Sequence, residues 1–282
     1  MSSVARRSVA RPWSIQDLGE AGDVGALAHY ADPAYYDKTY RGRKDDVAYY
    51  VALGIASKGP VLEYGVGSGR VALPLARSGI RVTGVDLSRP MLRQLEAHLD
   101  EEATDVRRRV KLVHGDMRTQ KIRGRFPLVI APFNVVLHLY DRTDVEAFLS
   151  RVKAQLAPGG SLVFDFSMPQ PADLCLDPNK RYKAPRFRHP TRGLCRYAER
   201  FEYDPLRQLL VVWMEFTPED GSQPWMVPLT HRQFFPQEMR ELLHYAGFTD
   251  VRFTQDFSDD PPTPLADSLV AHCRLARRRR RT

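Results

Sequence analysis

The chain has 282 residues, 43% of them hydrophobic, which is enough for one α/β domain with an insertion. No apolar run approaches the roughly 18 residues of a membrane span and the start of the chain has no apolar signal segment, so we expect a cytoplasmic protein without membrane partners. The net charge of +8 comes from eight arginines in residues 6–11 and 277–281; residues 12–276 hold 34 basic and 34 acidic side chains, which argues against a nucleic-acid partner.

The first predicted element is a helix over residues 45–56, "DDVAYYVALGIA". Val47, Val51 and Ile55 fall on one side of it, and we expect that side to be buried. Gly59 and Pro60 end the helix.

Residues 61–69, "VLEYGVGSG", run from an apolar strand into Gly65, Gly67 and Gly69, and a helix over about 71–78 follows. Glycine permits a positive φ and lets a ligand approach the backbone, and a helix start offers free N–H groups. A dinucleotide fingerprint would place its third glycine one residue later, at Arg70, so the spacing favours a ligand without a diphosphate. An ordinary strand-to-helix turn is the alternative.

The next two strands each end in a carboxylate. "RVTGVD" ends at Asp86, which can accept both hydroxyls of a ribose, and "VKLVHGDM" carries Asp116 and Met117. Asp86 or Ser88 can instead simply cap the helix over 89–99, and both roles are compatible.

With Glu63 two residues before the first glycine, this pattern resembles motif I of the class I S-adenosylmethionine (SAM) dependent methyltransferases. The resemblance implies a Rossmann-like fold with a seven-stranded, mostly parallel sheet and helices on both faces. It also implies SAM as cofactor and S-adenosylhomocysteine as product. The residues that it places at the cofactor are Glu63, Gly65, Gly67, Gly69, Asp86, Leu87, Asp116, Met117, Phe133 and Asn134, with Asp116 at the adenine amine and Met117 beside the ring.

A fourth strand is predicted at "LVIAPFNVVLHL", a helix with a buried stripe over 143–156, and a fifth strand at "SLVFDF". Proline-rich residues 168–194 predict an irregular excursion. "CRYAERFEYD", "RQLLVVWMEFTPED" and "QPWMVPLTHRQFF" then predict an antiparallel β meander that forms a lid. A helix over 236–248 and strands at "DVRFTQ" and "SLVAHCRL" complete the core.

These elements predict five segments. They are a flexible N-terminus (1–29), a SAM-binding core with an N-terminal cap (30–167), an antiparallel lid insertion (168–235), the end of the core sheet (236–276) and an arginine-rich tail (277–282). Three widely spaced cysteines without a C-x-x-C pair predict neither disulfides nor structural zinc, and no acidic cluster for a metal follows strand four.

"YYDKTYRGRKDD", "NVVLHLYDRTDVEAFLSRVKAQLAPGG" and "PLTHRQFFPQEMRELLHYAGF" resemble the N-methyltransferases that dimethylate nucleotide-linked amino sugars, and in outline the glycine and sarcosine methyltransferases. This resemblance implies a small-molecule acceptor and a monomer or homodimer. It places Tyr36 and Tyr40 over the site, with Tyr40 in a catalytic role, and Arg43 near the methionine carboxylate. Tyrosines that only pack an N-terminal helix are the alternative.

His138 is the predicted general base, since an imidazole can accept the proton of an amine or hydroxyl nucleophile. It follows strand four and matches the presumed base of the amino-sugar enzymes, although a structural histidine fits the same pattern. His231 and Arg232, on the predicted lid, are the candidate acceptor-binding residues; strand-core positions are the alternative.

Two other functions stay open. A nucleic-acid methyltransferase usually carries N/D-P-P-Y/F after strand four, whereas residues 131–134 read "APFN". A SAM-binding regulatory module without catalysis is compatible with the same motifs. The sequence does not separate N-methylation from O-methylation.

Overall fold

A computed structural model describes residues 27–275. The predicted tail at 277–282, and all but the last three residues of the predicted N-terminal segment 1–29, lie outside this range. The helices are α1 (Pro33–Tyr40), α2 (Asp45–Ser57), α3 (Ala72–Arg77), α4 (Arg89–Asp100), α5 (Thr104–Arg107), α6 (Arg142–Gln155), α7 (Pro171–Leu174) and α8 (Pro236–Tyr245), with 3-10 turns at His29–Ala31 and Val135–His138.

The strands form two sheets. They are β1 (Val61–Tyr64), β2 (Val82–Asp86), β3 (Val110–His114), β4 (Phe126–Ala131), β5 (Leu156–Ser167), β6 (Tyr182–His189), β7 (Gly193–Asp204), β8 (Leu209–Pro218), β9 (Trp225–Arg232), β10 (Phe248–Gln255) and β11 (Ser268–Leu275).

The larger sheet has seven strands in the order β10-β11-β5-β4-β1-β2-β3. Strands β1 to β5 pair in parallel, whereas β11 runs antiparallel to both β5 and β10. Because β1 and β4 are neighbours at the centre and their connections leave in opposite directions, ligands are expected at their carboxyl ends. The predicted Rossmann-like fold is confirmed.

Two hydrophobic layers cover this sheet. On one face α6 and α8 pack through side chains such as Phe148 and Leu243, and on the other α2, α3 and α4 pack through side chains such as Tyr50, Leu75 and Leu95. The stripe predicted for residues 143–156 is buried at Val145, Phe148, Leu149, Val152 and Leu156. Both faces of the sheet are therefore covered, as its continuous apolar strands require.

The buried face of α2 differs from the prediction. Val47 and Val51 are half-buried against the core as predicted, but Ile55 is 58% exposed, and the fully buried residues of the helix are Asp46, Tyr50 and Gly54. A Cβ at Gly54 would lie 2.3 Å from Leu75 Cδ2, so glycine allows α2 to approach α3 closely. Asp46 and Tyr50 are buried because each has a polar partner in the core, which a hydrophobic pattern does not reveal.

Strand β4 is shorter than predicted. It ends at Ala131, after which Phe133 and Asn134 both adopt a left-handed backbone with φ of 63°. The chain then forms the 3-10 turn Val135–His138, so His138 is the last residue of a turn and does not follow a long strand.

The second sheet is antiparallel, in the order β6-β7-β8-β9, and confirms the predicted meander as an insertion. Residues 168–194 are more regular than expected, since they contain α7 and the edge strand β6. The whole sheet lies at 182–232, within the predicted insertion 168–235. We call it the lid sheet.

Candidate active site

In the turn after β1 the backbone of the glycines lies very close to neighbouring side chains. Gly65 has φ of 68°, and a Cβ there would lie 2.2 Å from Val135 Cγ2. Gly67 has φ of 56°, and its N–H donates to Asp86 Oδ2 at 2.7 Å. Gly69 has φ of 91° and packs under Leu95. The first two glycines thus shape the site, and the third seats the turn on α4.

A cavity opens over this turn, at the carboxyl ends of the central strands. It lies where an α/β sheet of this order binds its ligand. Its lining includes many of the residues predicted from the sequence, namely Tyr36, Glu63, Gly65, Gly67, Asp86, Leu87, Asp116, Met117, Phe133 and His138. Tyr40, Arg43, Gly69, Asn134, His231 and Arg232 are not among the described residues that line it.

Three carboxylates face the cavity with different partners. Glu63 is 2% exposed, its Oε2 has no hydrogen-bond partner among the described residues, and burial raises its pKa well above the ordinary value. Asp86 accepts from the N–H groups of Gly67 and Ser88, both at 2.7 Å, and burial raises its pKa. Burial also acts to raise the pKa of Asp116, but hydrogen bonds from Arg118 outweigh it and lower the pKa.

These residues fit SAM. The buried Glu63 Oε2, which has no partner among residues 27–275, is suited to a donor or a positive charge such as an amino-acid ammonium. Asp86 lies at the mouth of the glycine turn with acceptor capacity for hydroxyl groups. Met91 and Met117 add apolar surface to the lining, suited to a purine ring.

The turn after β4 is held by a residue that the sequence prediction missed. Asp165, 2% exposed on β5, accepts from the backbone N–H of Phe133 at 2.7 Å and of Asn134 at 3.1 Å. It also accepts from the Tyr50 hydroxyl at 2.6 Å. Burial raises the pKa of Asp165 to about 6 although these bonds oppose the rise. A charged residue within the apolar strand "SLVFDF" was the available signal.

Asn134 contributes to the turn rather than to the cavity. Its side chain donates to Ser167 Oγ at 3.0 Å and accepts from the Ser167 N–H at 2.7 Å. Phe133 is thereby fixed at the cavity wall.

Arg70, which the glycine spacing singled out, lines the cavity where Arg43 was expected. Its guanidinium forms a two-bond ion pair with the buried Asp46 and lies 4.5 Å from the centre of the Phe133 ring. Arg43 is exposed, with its guanidinium 5.5 Å from the same ring. Of these two arginines, Arg70 is the one placed to contact a ligand.

Aromatic side chains from α1 cover the site. Tyr36 is 7% exposed and lies 5.8 Å from the Tyr30 ring, between centroids. Tyr40 packs behind it at 4.8 Å and bonds through its hydroxyl to His29 Nε2 at 3.2 Å. Burial raises the pKa of Tyr36 to about 12, so its hydroxyl stays protonated. Tyr30 and Tyr36 face the cavity, and Tyr40 supports them.

His138 lines the cavity beside Tyr30. Its Nε2 lies 2.9 Å from the Tyr30 hydroxyl and its Nδ1 lies 3.3 Å from the Tyr140 hydroxyl, which in turn lies 2.6 Å from Thr230 Oγ1. Burial, with a smaller contribution from His29, lowers the pKa of His138 to about 4. The imidazole is therefore neutral at pH 7, with one nitrogen able to accept a hydrogen bond.

The two lid residues proposed for the acceptor lie on opposite faces of β9. The His231 ring is 5.2 Å from the His138 ring, between centroids, which brings it next to the cavity. Arg232 points the other way, where it is 8% exposed and paired with Glu238 at 2.6 Å. His231 thus lies beside His138, whereas Arg232 joins β9 to α8.

No helix between residues 27 and 275 combines the length and apolar composition that crossing a bilayer requires. Over the same range, no cluster of three or more His, Cys, Asp or Glu side chains is arranged to hold a metal ion.

Comparison with known proteins agrees with this geometry. Residues 61–160 match a family described as "Methyltransferase domain". Over 151 residues the chain is 31% identical to a cypemycin N-terminal methyltransferase from a Streptomyces species, covering 49% of this chain and 59% of that protein. Over 147 residues it is 29% identical to the dTDP-3-amino-3,6-dideoxy-alpha-D-glucopyranose N,N-dimethyltransferase of Streptomyces fradiae, covering 52% and 53%. The chain thus spans little more than half the length of these two relatives.

A solved structure shares the architecture along nearly the whole chain. The CcbJ methyltransferase from Streptomyces caelestis superposes with a TM-score of 0.73 at 24% identity, covering 89% of this chain and 98% of that one. This likeness shows the fold, including the antiparallel insertion. Residues 61–160 are therefore similar to a methyltransferase domain, in a chain whose described residues have the fold of a methyltransferase structure.

Proposed function

We propose that this enzyme methylates an amine nitrogen of a small-molecule acceptor in the cytoplasm. The observation that carries the proposal is the neutral His138 imidazole, hydrogen-bonded to Tyr30 where both side chains line the cofactor cavity. One relative is named as an amino-sugar N,N-dimethyltransferase and another as an N-terminal methyltransferase, and both names support a nitrogen acceptor. The acceptor would lie between Tyr30, His138 and His231.

When bound, SAM supplies a methyl group on a positively charged sulfur that an amine lone pair displaces in line. The chain's own residues hold the two reactants. Glu63, Asp86 and Asp116 would bind polar groups of the cofactor, and Tyr30, Tyr36 and Phe133 form walls that exclude water from it. Positioning of this kind can supply several kcal/mol of the barrier reduction.

His138 is the proposed base, acting through Tyr30. A proton leaving the nitrogen passes to the Tyr30 oxygen as the Tyr30 proton moves to His138 Nε2. The Nδ1 side of the ring faces the Tyr140 hydroxyl, so a proton can leave there in turn. Burial lowers the pKa of His138 to about 4, which keeps the ring neutral at pH 7 but makes it a weak base, so the transfer through Tyr30 has to be concerted with loss of the proton at Nδ1.

The decisive measurement is S-adenosylhomocysteine release with SAM and a panel of acceptors: amino sugars, small amines, amino acids, phenols, carboxylates and bulk tRNA. We expect turnover with amines. Turnover confined to phenols or carboxylates would replace nitrogen by oxygen as the acceptor atom, and turnover on tRNA would overturn the small-molecule proposal. Silence across the panel with intact SAM binding would favour a non-catalytic module.

His138→Ala tests the proposed base. Turnover should fall more than about tenfold while SAM affinity is retained, because general bases typically contribute 10²- to 10⁴-fold and His138 lies on the acceptor side. Tyr30→Phe should lower turnover in the same direction, since it interrupts the route to His138. Unchanged turnover in His138→Ala would remove this residue from the mechanism.

A further inference from the structure

Helix α1 contacts two different parts of the molecule. Tyr35 and Lys38, one helical turn apart, face the lid sheet: Tyr35 lies in its apolar layer, and Lys38 Nζ donates to the Arg188 carbonyl. Tyr36 and Asp37 face the core, where Tyr36 is a wall of the cavity. A helix of eight residues is too short to be stable alone, so these contacts determine where α1 lies.

On the core side, Asp37 is bonded to the glycine turn. The Ser68 hydroxyl donates to Asp37 Oδ1. Ser68 stands between Gly67 and Gly69, is 3% exposed and lines the cavity, whereas Asp37 is not among the described residues that line it. The hydrogen bond therefore joins the helix that carries Tyr36 to the turn under the cavity, and it does so from outside the cavity.

His98, on α4, contacts both partners of this bond. Its Nδ1 lies 3.0 Å from the Ser68 carbonyl, and because a carbonyl only accepts, Nδ1 carries the proton. Its Nε2 lies 3.0 Å from Gln94 Nε2 and 3.3 Å from Asp37 Oδ2. The imidazole thus holds Ser68 through the backbone and lies against the Asp37 carboxylate, which fixes the two partners relative to each other.

This contact is placed where it can open. The side chains of Asp37 and His98 are 28% and 30% exposed, so water can replace their contacts as they part. The ion pair of Arg70 with Asp46, beside the same turn, is more deeply buried, at 14% and 4%, and breaking it would leave charges out of water. Of these two contacts, the one to Asp37 is therefore the easier to break.

We propose that Asp37 is the latch of the cofactor cavity. Through Ser68 and His98 it holds α1, and with it Tyr36, closed against the glycine turn, and the opening of this contact sets the rate at which SAM leaves. Tyr36 and Ser68 both line the cavity, so a bond between their elements resists separation of the two. Asp37 and His98 are positioning residues, and their role rests on the SAM binding of the proposed function.

The test measures how fast SAM leaves the full-length protein. Radiolabelled SAM is bound, the complex is diluted into an excess of unlabelled SAM, and the label retained is counted over time. Titration calorimetry gives the Kd, so the association rate follows from the two measurements. Urea unfolding of each variant shows whether it remains folded, and because the latch is half-exposed we expect little change there.

Asp37→Ala should raise the SAM dissociation rate about tenfold or more and raise the Kd in proportion, so that the association rate is unchanged. Asp37→Asn keeps an acceptor oxygen for Ser68 and should stay within about threefold of the wild type. Ser68→Ala should also speed dissociation. The double variant of Asp37→Ala and Ser68→Ala should lose SAM no faster than the faster single variant, because both changes remove one bond.

The matched control is Glu102→Gln. Glu102 lies in the same groove as His98 but pairs with Arg77 of α3, so its neutralisation removes a nearby charge and leaves the latch in place. It should keep the wild-type dissociation rate. Equal rates in wild type and Asp37→Ala, an equal effect of Glu102→Gln, or additive effects of Asp37→Ala and Ser68→Ala would overturn the latch.

Hydrogen exchange of residues 33–40 gives a second measurement that does not depend on turnover. SAM should slow the exchange of these amides in the wild type and in Glu102→Gln, because it favours the closed position of α1. In Asp37→Ala the slowing should be largely lost. Equal slowing in wild type and Asp37→Ala would show that α1 is held by its other contacts, and it would overturn the proposal.

The latch and the proposed function fail differently. SAM binding with the same dissociation rate in all variants would remove the latch and leave methyl transfer intact. Faster dissociation in Asp37→Ala, without turnover of any acceptor, would retain the latch and overturn the reaction. A wild-type protein that does not bind SAM would overturn both.

Discussion

At the scale of single residues, the site depends on one buried carboxylate that makes no contact with the cavity. Asp165 receives both N–H groups of the left-handed pair Phe133 and Asn134, each at φ of 63°. A non-glycine residue in this conformation costs on the order of 1 kcal/mol or more, and two in succession require a compensating contact. Asp165 supplies this contact, and as a result Phe133 and Val135 are held at the cavity wall.

We predict that Asp165→Asn weakens SAM binding at least tenfold, about 1.4 kcal/mol. The amide keeps only one acceptor oxygen, and its NH₂ group would face a backbone N–H of Phe133 or Asn134 that now bonds to a carboxylate oxygen. In the wild type, SAM affinity should also fall as the pH drops through about 6, the pKa of Asp165, since protonation removes acceptor capacity. Titration calorimetry at pH 5.5 to 7.5 measures both effects.

Protonation of Asp165 should affect folding stability in the opposite direction to SAM affinity, and this difference provides a control. Because the folded-state pKa of Asp165 is raised above its ordinary value, protonation between about pH 6 and 4 favours the folded protein. As the pH falls, the melting temperature of the wild type should therefore rise relative to that of Asp165→Asn. Over the same pH range the two proteins should become more alike in their affinity for SAM. Tyr50→Phe keeps the ionisable group but removes a hydrogen bond that lowers the pKa of Asp165, so it should retain an inflection and move it above pH 6. An inflection that persists in Asp165→Asn would assign it to another group.

At the scale of elements, the strand-to-helix turn shows how close packing restricts sequence. Gly65 and Gly79 both have positive φ, 68° and 87°, but their surroundings differ. A Cβ at Gly65 meets Val135 at 2.2 Å, whereas a Cβ at Gly79 meets no atom within 4 Å. A substitution at Gly79 therefore introduces backbone strain alone, whereas one at Gly65 introduces both strain and a steric clash with Val135.

We predict that Gly65→Ala destabilises the protein by about 2–5 kcal/mol, combining left-handed strain with overpacking, and abolishes SAM binding as Val135 is displaced. The matched change Gly79→Ala should cost about 1–2 kcal/mol with SAM affinity unchanged. Urea unfolding and calorimetric titration measure the two quantities. Equal losses of SAM affinity in the two variants would show that packing on Val135 does not set the cavity wall.

The same elements show what the sequence could and could not predict. The glycine turn, Asp86 and Asp116 were predictable because each stands at the end of an apolar strand, and strand ends meet at one edge of a parallel sheet. The inward face of α2 was not, since Tyr50 is buried by its bond to Asp165, 115 residues away, and Asp46 by its pair with Arg70. Local periodicity contains no information about such distant partners.

At the scale of the whole molecule, the lid sheet is tied to the core by a charge pair at the end of β9. Arg232 Nη2 bonds Glu238 Oε1 on α8 at 2.6 Å, and the guanidinium lies 4.4 Å from the centre of the Phe234 ring. Its Nε and Nη1 are buried without a hydrogen-bond partner among residues 27–275. Burial of this arginine therefore costs desolvation free energy, and the ion pair with Glu238 offsets only part of it.

Removing the two partners should therefore have unequal effects. Glu238→Gln leaves the Arg232 charge buried without its counter-charge and should destabilise the protein by about 3 kcal/mol. Arg232→Met removes the charge and the unpaired donors together, keeps the contact with Phe234, and should change stability by less than about 1 kcal/mol. An exposed pair provides the reference: Glu146→Gln, which breaks the contact with Arg142, should cost under about 1 kcal/mol. Urea unfolding measures the stability of all three variants.

The acceptor KM of Arg232→Met decides whether this residue also binds substrate. A KM raised tenfold with stability retained would assign Arg232 to the acceptor site, whereas an unchanged KM would leave it the tie between lid and core.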